Sequence, residues 1–168
     1  MRFRRRHSFP FSVWMTSRNM LYSQSYLSPV GNLNLYASSN SLKKIEFSSA
    51  TVEDKSNAVL EKAVQQLDEY FSGQRTQFDL ELDPEGTAFQ KSVWTNLISI
   101  PYGSTCSYQD LANAIENPKA SRAVGNANNR NPLPIVIPCH RVIGKDKSLV
   151  GYAGGLPLKQ WLLDHERQ

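Results

Sequence analysis

Extended and helical patterns are segregated along this chain, and that order limits the folds open to it. Strand signals fall within residues 24–49. Tyr26 to Val30 and Leu33 to Tyr36 flank the turn signal Gly31-Asn32, and Leu42 to Phe47 follows the Ser38-Ser39-Asn40-Ser41 break. Three short runs joined by turns predict an antiparallel meander. From residue 56 the apolar spacing becomes helical. Val59, Leu60, Ala63, Leu67, Tyr70 and Phe71 predict an amphipathic helix over 56–72, stopped by Gly73. Strands first and helices after point to an α+β architecture.

The second half is punctuated by helix signals. Gln74 to Gly86 is polar, contains Pro84 and reads as a linker. Thr87 and Gln90 stand at capping-box spacing, ahead of an apolar face of Phe89, Val93, Trp94, Leu97 and Ile98. A second box at Ser107 and Asp110 opens a short helix through Leu111, Ala112 and Ile115. Asn117-Pro118 breaks the chain before another helix over Ala120 to Asn128. Two short helices joined by a tight turn form a helix-turn-helix candidate, a signal that many non-binding hairpins share. Pro134-Ile135-Val136-Ile137-Pro138 reads as an extended apolar segment that delivers Cys139 to the core. Gly151 to Gly155 reads as a flexible loop, and Leu158 to Glu166 as a last helix.

Charge adds a direction. The formal charge is +4, but residues 1–19 carry five arginines and no acid, residues 20–100 are net acidic, and residues 101–168 are net basic. Any nucleic acid is therefore expected on the second half. Residues 1–19 read as a basic, disordered extension or as sequence upstream of the true start, rather than as a signal peptide. No apolar run approaches the roughly 20 residues of a membrane helix. The two cysteines, Cys106 and Cys139, are too few for a disulfide scaffold and lack zinc-ligand spacing. Free thiols in a reducing compartment are expected.

Cys139 is followed directly by His140. A free thiol ionises near pH ~8.5, so a reactive cysteine needs a proton acceptor. Neighbouring side chains diverge on a strand or a helix, which favours a bridging water over a direct pair. A carboxylate on the far ring nitrogen would fix the tautomer; Asp146, Asp164 and Glu166 are the nearby acids. Taken alone, the pair reads more readily as a buried cysteine beside a satisfied histidine, and only the surrounding pattern reverses that reading.

The run Ile135-Val136-Ile137-Pro138-Cys139-His140-Arg141-Val142-Ile143 closely resembles the signature of the O6-alkylguanine-DNA alkyltransferases. The likeness continues through Ile100-Pro101-Tyr102-Gly103, Ser107-Tyr108, Asn117-Pro118-Lys119-Ala120, Arg122-Ala123-Val124-Gly125 and Asn131-Pro132. Downstream it includes Gly151-Tyr152-Ala153-Gly154-Gly155 and Trp161-Leu162-Leu163-Asp164-His165-Glu166. It is in register from about Gly86 to Glu166 and looser before, through Ser28-Pro29-Val30-Gly31.

The resemblance implies an α+β chain. Its small N-terminal domain (residues 20–83) would be ribonuclease-H-like, with an antiparallel three-stranded sheet plus helices. A winged-helix or helix-turn-helix DNA-binding and active-site domain would follow (residues 84–168). It implies stoichiometric, irreversible transfer of an alkyl group from O6-alkylguanine, and from O4-alkylthymine, to Cys139. His140 would be the water-mediated base, Glu166 its carboxylate partner and Asn131 a brace for the turn. Tyr108, Val142, Tyr152, Ala153 and Gly154 would form the substrate pocket. Arg122 would enter the DNA stack in place of the extruded nucleotide, with Tyr108 crowding the target's phosphate. Ala123, Gly125, Ala127 and Asn128 would lie along the minor groove. No cofactor and no metal are expected, and the partner is double-stranded DNA bound by a monomer in the cytoplasm, or in the nucleus of a eukaryote. Cys106 is expected to be a buried small side chain. Two other classes compete: a DNA-binding protein that recognises alkylated bases without repairing them, which the presence of Cys139 opposes, and a thiol hydrolase, which the adjacency of Cys139 and His140 opposes.

Overall fold

The computed structural model describes residues 21–168. The basic extension at residues 1–19 lies outside the described residues. β1 (Tyr22–Ser28), β2 (Gly31–Ala37) and β3 (Leu42–Phe47) form an antiparallel sheet in that order. The first turn sits at Pro29-Val30, not at Gly31-Asn32, because Ser28 pairs with Gly31. Pro29 presets the first turn position, the Ser28 hydroxyl accepts from the Val30 amide, and Gly31 takes the left-handed φ of 105° that closes the turn.

α1 (Ala58–Phe71) is capped by the Asn57 side chain, which accepts from the Leu60 amide. It buries Leu60, Ala63, Leu67 and Tyr70. The segment expected as a free linker is instead strapped down. Gln66 exchanges two hydrogen bonds with the Asp79 backbone, and Leu82 bridges to Leu42.

α2 (Ala88–Ile98) and α3 (Tyr108–Ala114) start at the two expected capping boxes, and both boxes are complete. Ile98, expected on the buried face of α2, is 52% exposed; it ends the helix beyond the packing that covers Trp94 and Leu97. α4 (Ser121–Asn129) packs against α2 and α3, and the Trp94 indole donates to the Ala127 carbonyl at 2.9 Å. α5 (Leu156–Glu166) closes the chain. Two strands too short for periodicity to reveal, β4 (Cys106–Ser107) and β5 (Val142–Ile143), pair in parallel and tie the start of α3 to the chain after Cys139.

The stretch from Pro134 to Pro138 is not extended as expected. It is wound into turns, with Ile135 at φ 74° and the Ile137 amide bonded to the Leu133 carbonyl. A β-branched residue at positive φ is costly, so the surrounding hydrogen bonds must impose it. Both halves share one apolar core, from Leu33 and Leu67 to Val136 and Leu162. Among the described residues no helix is long and apolar enough to cross a membrane.

Candidate active site

Asn131 organises the turn. Its Nδ2 donates to the Ile137 carbonyl at 2.8 Å, and its Oδ1 accepts from the Leu133 amide at 3.0 Å. One side chain thus clamps both ends of the loop. Cys139 follows at the head of a 3-10 turn (Cys139–Arg141) and is only 4% exposed. Burial pushes its thiol up to about 11, against the pull of the Asn131 side chain and the nearby Lys159 ammonium. At rest the sulfur is therefore a protonated thiol.

His140 is fully buried, with Nε2 2.7 Å from Glu166 Oε2. Arg141 reaches the same carboxylate twice, Nε to Oε1 at 2.7 Å and NH2 to Oε2 at 3.0 Å, and Tyr70 donates its hydroxyl to Oε2 at 2.6 Å. Burial alone would raise the Glu166 carboxyl. The hydrogen bonds from His140, Arg141 and Tyr70 outweigh it and hold the group well below the usual carboxylate range. An ionised carboxylate only accepts, so His140 Nε2 carries the ring proton. Nδ1 is buried and bonds no protein atom among the described residues, Cys139 included. The neutral ring thus offers a lone pair and no direct thiol pair forms. Burial lowers the His140 pKa, while Glu166 raises it and Arg141 and Lys159 lower it further. Asp164, the alternative carboxylate, is exposed and pairs with Arg167.

Two tyrosines, Tyr108 and Tyr152, stand near the sulfur. Tyr108 is half-buried and donates its hydroxyl to the Val150 carbonyl at 2.8 Å. Its phenol is raised by burial and by the neighbouring Cys139 and Cys106. The Tyr152 hydroxyl is buried without a partner among the described residues, and its ring meets Phe47 of β3 at 6.1 Å. Gly154 lies so close to Leu158 and Phe47 that a Cβ there would fall 2.4 Å from the Leu158 methyl and 3.1 Å from the Phe47 ring. Ala153 is exposed beside it, and Val142 is fully buried. Cys106 is half-buried rather than buried.

The exposed side of α4 presents Arg122, Ala123 and Asn126. Gly125 faces the Tyr108 ring, which a Cβ would meet at 3.7 Å. Two residues expected on the DNA face are turned inward. Ala127 is 2% exposed beneath Trp94, and Asn128 is 1% exposed with its amide 3.3 Å from the Cys139 carbonyl. Helical phase explains the correction, because both lie on the Val124 side of α4. Asn128 therefore braces the Cys139 turn.

Three residues without an expected role belong to the site: Tyr70, Arg141 and Lys159. Lys159 is fully buried and donates to the carbonyls of Val142 at 2.6 Å, Val150 at 3.1 Å and Gly151 at 3.4 Å. It stands in helical phase with Leu162, Leu163 and Glu166, all buried, which is the signal that marks it. One ammonium thus holds both sides of the loop after Cys139.

The chain is similar to known proteins over most of its described length. Residues 88–168 match the family model described as the 6-O-methylguanine DNA methyltransferase DNA binding domain, and residues 21–84 match the ribonuclease-like domain of the same name. The chain is 47% identical over 155 residues to a methylated-DNA–protein-cysteine methyltransferase of Methanosarcina acetivorans, covering 87% of this chain and 98% of that one. It is 54% identical over 116 residues to the constitutive methyltransferase of Bacillus subtilis, covering 68% and 70% of the two chains. The crystal structure of Mycobacterium tuberculosis OGT in complex with DNA superposes with a TM-score of 0.81 at 42% identity, over 87% of this chain and 92% of that one.

Proposed function

Because the chain belongs to the 6-O-methylguanine DNA methyltransferase family, a DNA-binding family that repairs by direct alkyl transfer, we propose that its acceptor is Cys139 and its substrate a guanine alkylated at O6. Thymine alkylated at O4 presents the same chemistry. One observation carries the reading. A buried thiol stands next to a histidine whose Nε2 is pinned by Glu166, so that Nδ1 is left as a lone pair inside the protein.

The step balances simply. The thiol proton passes through a bridging water to His140 Nδ1, and Glu166 stabilises the imidazolium. The thiolate attacks the alkyl carbon in line; the S–C bond forms as the C–O6 bond breaks. The leaving guanine takes one proton from the Tyr108 hydroxyl, and the imidazolium proton makes good that loss through solvent. The product thioether has no leaving group, so each molecule acts once.

The base must leave the duplex to reach a sulfur this deeply buried. Arg122 at the exposed start of α4 fills the gap, while Ala123 and Gly125 keep the helix surface low enough to lie along the minor groove. Tyr152, Gly154, Ala153 and the Val142 carbonyl wall the base pocket. The protein does this as a monomer.

Incubation with a duplex containing O6-methylguanine, followed by peptide mass spectrometry, tests the reading. A stable gain of one methyl group on the Cys139 peptide is expected. Tight binding with unchanged mass would instead make the chain a sensor of alkylated bases, and repeated turnover would make it a hydrolase.

A further inference from the structure

We propose that Tyr70, carried by α1 in the first half of the chain, is a positioning residue of the transfer centre, its hydroxyl setting how strongly Glu166 holds the His140 ring. The inference rests on the function proposed above and extends the centre across the molecule.

Three donors converge on one oxygen of Glu166: the Tyr70 hydroxyl at 2.6 Å, His140 Nε2 at 2.7 Å and the second Arg141 nitrogen at 3.0 Å. Oε1 takes only Arg141 Nε among the bonds that hold the centre. Donors sharing one acceptor weaken one another, because each draws on the same negative charge. The Tyr70 hydroxyl therefore competes with His140 for Oε2 and tempers the support that the carboxylate gives an imidazolium.

The hydroxyl is also aimed. Tyr70 is fully buried, and its ring is held by Phe71 at 5.2 Å, Phe78 at 5.5 Å, Tyr102 at 6.2 Å and His165 at 5.2 Å. His165 Nε2 is 2.8 Å from the Tyr70 carbonyl, so α5 fixes the backbone as well. The charged groups that act on His140 are Glu166 and Lys159 from α5 and Arg141 from the 3-10 turn, and Tyr70 of α1 acts on it through Glu166. Tyr102 and Tyr152 face Glu166 as well. Among these, the Tyr70 hydroxyl alone comes from outside the second half and is hydrogen-bonded to the carboxylate.

Removing the hydroxyl while keeping the ring frees Oε2 for His140 and makes the ring more basic. A more basic ring is lost as a proton acceptor at higher pH. Single-turnover methyl transfer from the modified duplex is measured from pH 5.5 to 8 for the wild type, for Tyr70→Phe, and for a chain with 3-fluorotyrosine at position 70, whose more acidic phenol is a stronger donor. The expected result for Tyr70→Phe is a split, with the rate near pH 5.5 falling about threefold more than the rate near pH 8. The fluorinated residue, which preserves the packing even where Tyr70→Phe fails to fold, is expected to move the acidic limb the opposite way. A uniform fall across the range, an unchanged profile, or movement of both proteins in one direction overturns the inference. A wild type that never gains a methyl group on Cys139 refutes the underlying function instead, before the variants are compared.

Discussion

Glu166 and His140 set how far the fold tolerates acid. The Glu166 pKa is held low in the folded protein, so its stabilisation is complete above the unfolded carboxylate range and is lost as pH falls through the folded value. The His140 pKa is also lowered, by burial, so the unfolded chain takes up the proton first. Both effects have one sign. The thermal midpoint is expected to begin falling below about pH 6.5 and to fall more steeply below about pH 4.5. Circular-dichroism melts across that range check it, and a midpoint that rises on acidification contradicts it. Lys159→Met is expected to lose about 1–3 kcal/mol by stranding the Val142 carbonyl and to slow methyl transfer by removing a positive charge near the sulfur; a denaturant midpoint and a transfer rate measure the two losses. At this scale the Cys139-His140 pair was legible because the residues adjoin. The destination of the Tyr70 hydroxyl was not, because it crosses 96 positions of sequence. Lys159 went unread because a helical lysine ordinarily faces water, although its phase with Leu162, Leu163 and Glu166 was visible.

At the scale of elements, α4 divides its labour. Its outer face carries Arg122 and Ala123, and its inner face holds the Cys139 turn through Asn128 and is itself held by Trp94. Arg122→Ala is expected to slow repair of duplex DNA while leaving reaction with the free alkylated base nearly unchanged, since only the duplex needs the gap filled. Equal losses on both substrates contradict the assignment. Trp94→Phe removes the indole donor from the Ala127 carbonyl and leaves it only the Arg130 amide at 3.2 Å; it is expected to cost about 0.5–1.5 kcal/mol, read by denaturant unfolding. Capping boxes were legible in the sequence because they are local: Thr87 with Gln90 and Ser107 with Asp110 each complete their motif within four residues. The turn before Cys139 was not legible. Ile135, Val136 and Ile137 have the composition of a strand, and the bonds from Asn131 override it. Ala127 and Asn128 were misplaced because smallness and polarity do not reveal which side of a nine-residue helix meets the core.

At the scale of the whole molecule, the order of strands and helices was readable, but the dependence of one half on the other was not. Contacts between the halves run through the Ile45 amide to the Pro132 carbonyl, Phe47 against Tyr152, and Tyr70 to Glu166. They join a common core, so calorimetry is expected to show one cooperative transition rather than two. Residues 84–168 prepared alone lose all three ties and are expected to melt at lower temperature than the full chain.

The 4% exposure of Cys139 has an outcome beyond the reaction itself. A carbon added to that sulfur lies in an almost closed part of the protein, and crowding there is expected to cost about 1–3 kcal/mol. A used molecule is therefore expected to be looser than a fresh one and to carry its history in its own rigidity. Proteases that sample loosened chains can then remove spent copies and spare intact ones, so a cell's defence becomes a stock of unspent molecules to be replenished by synthesis.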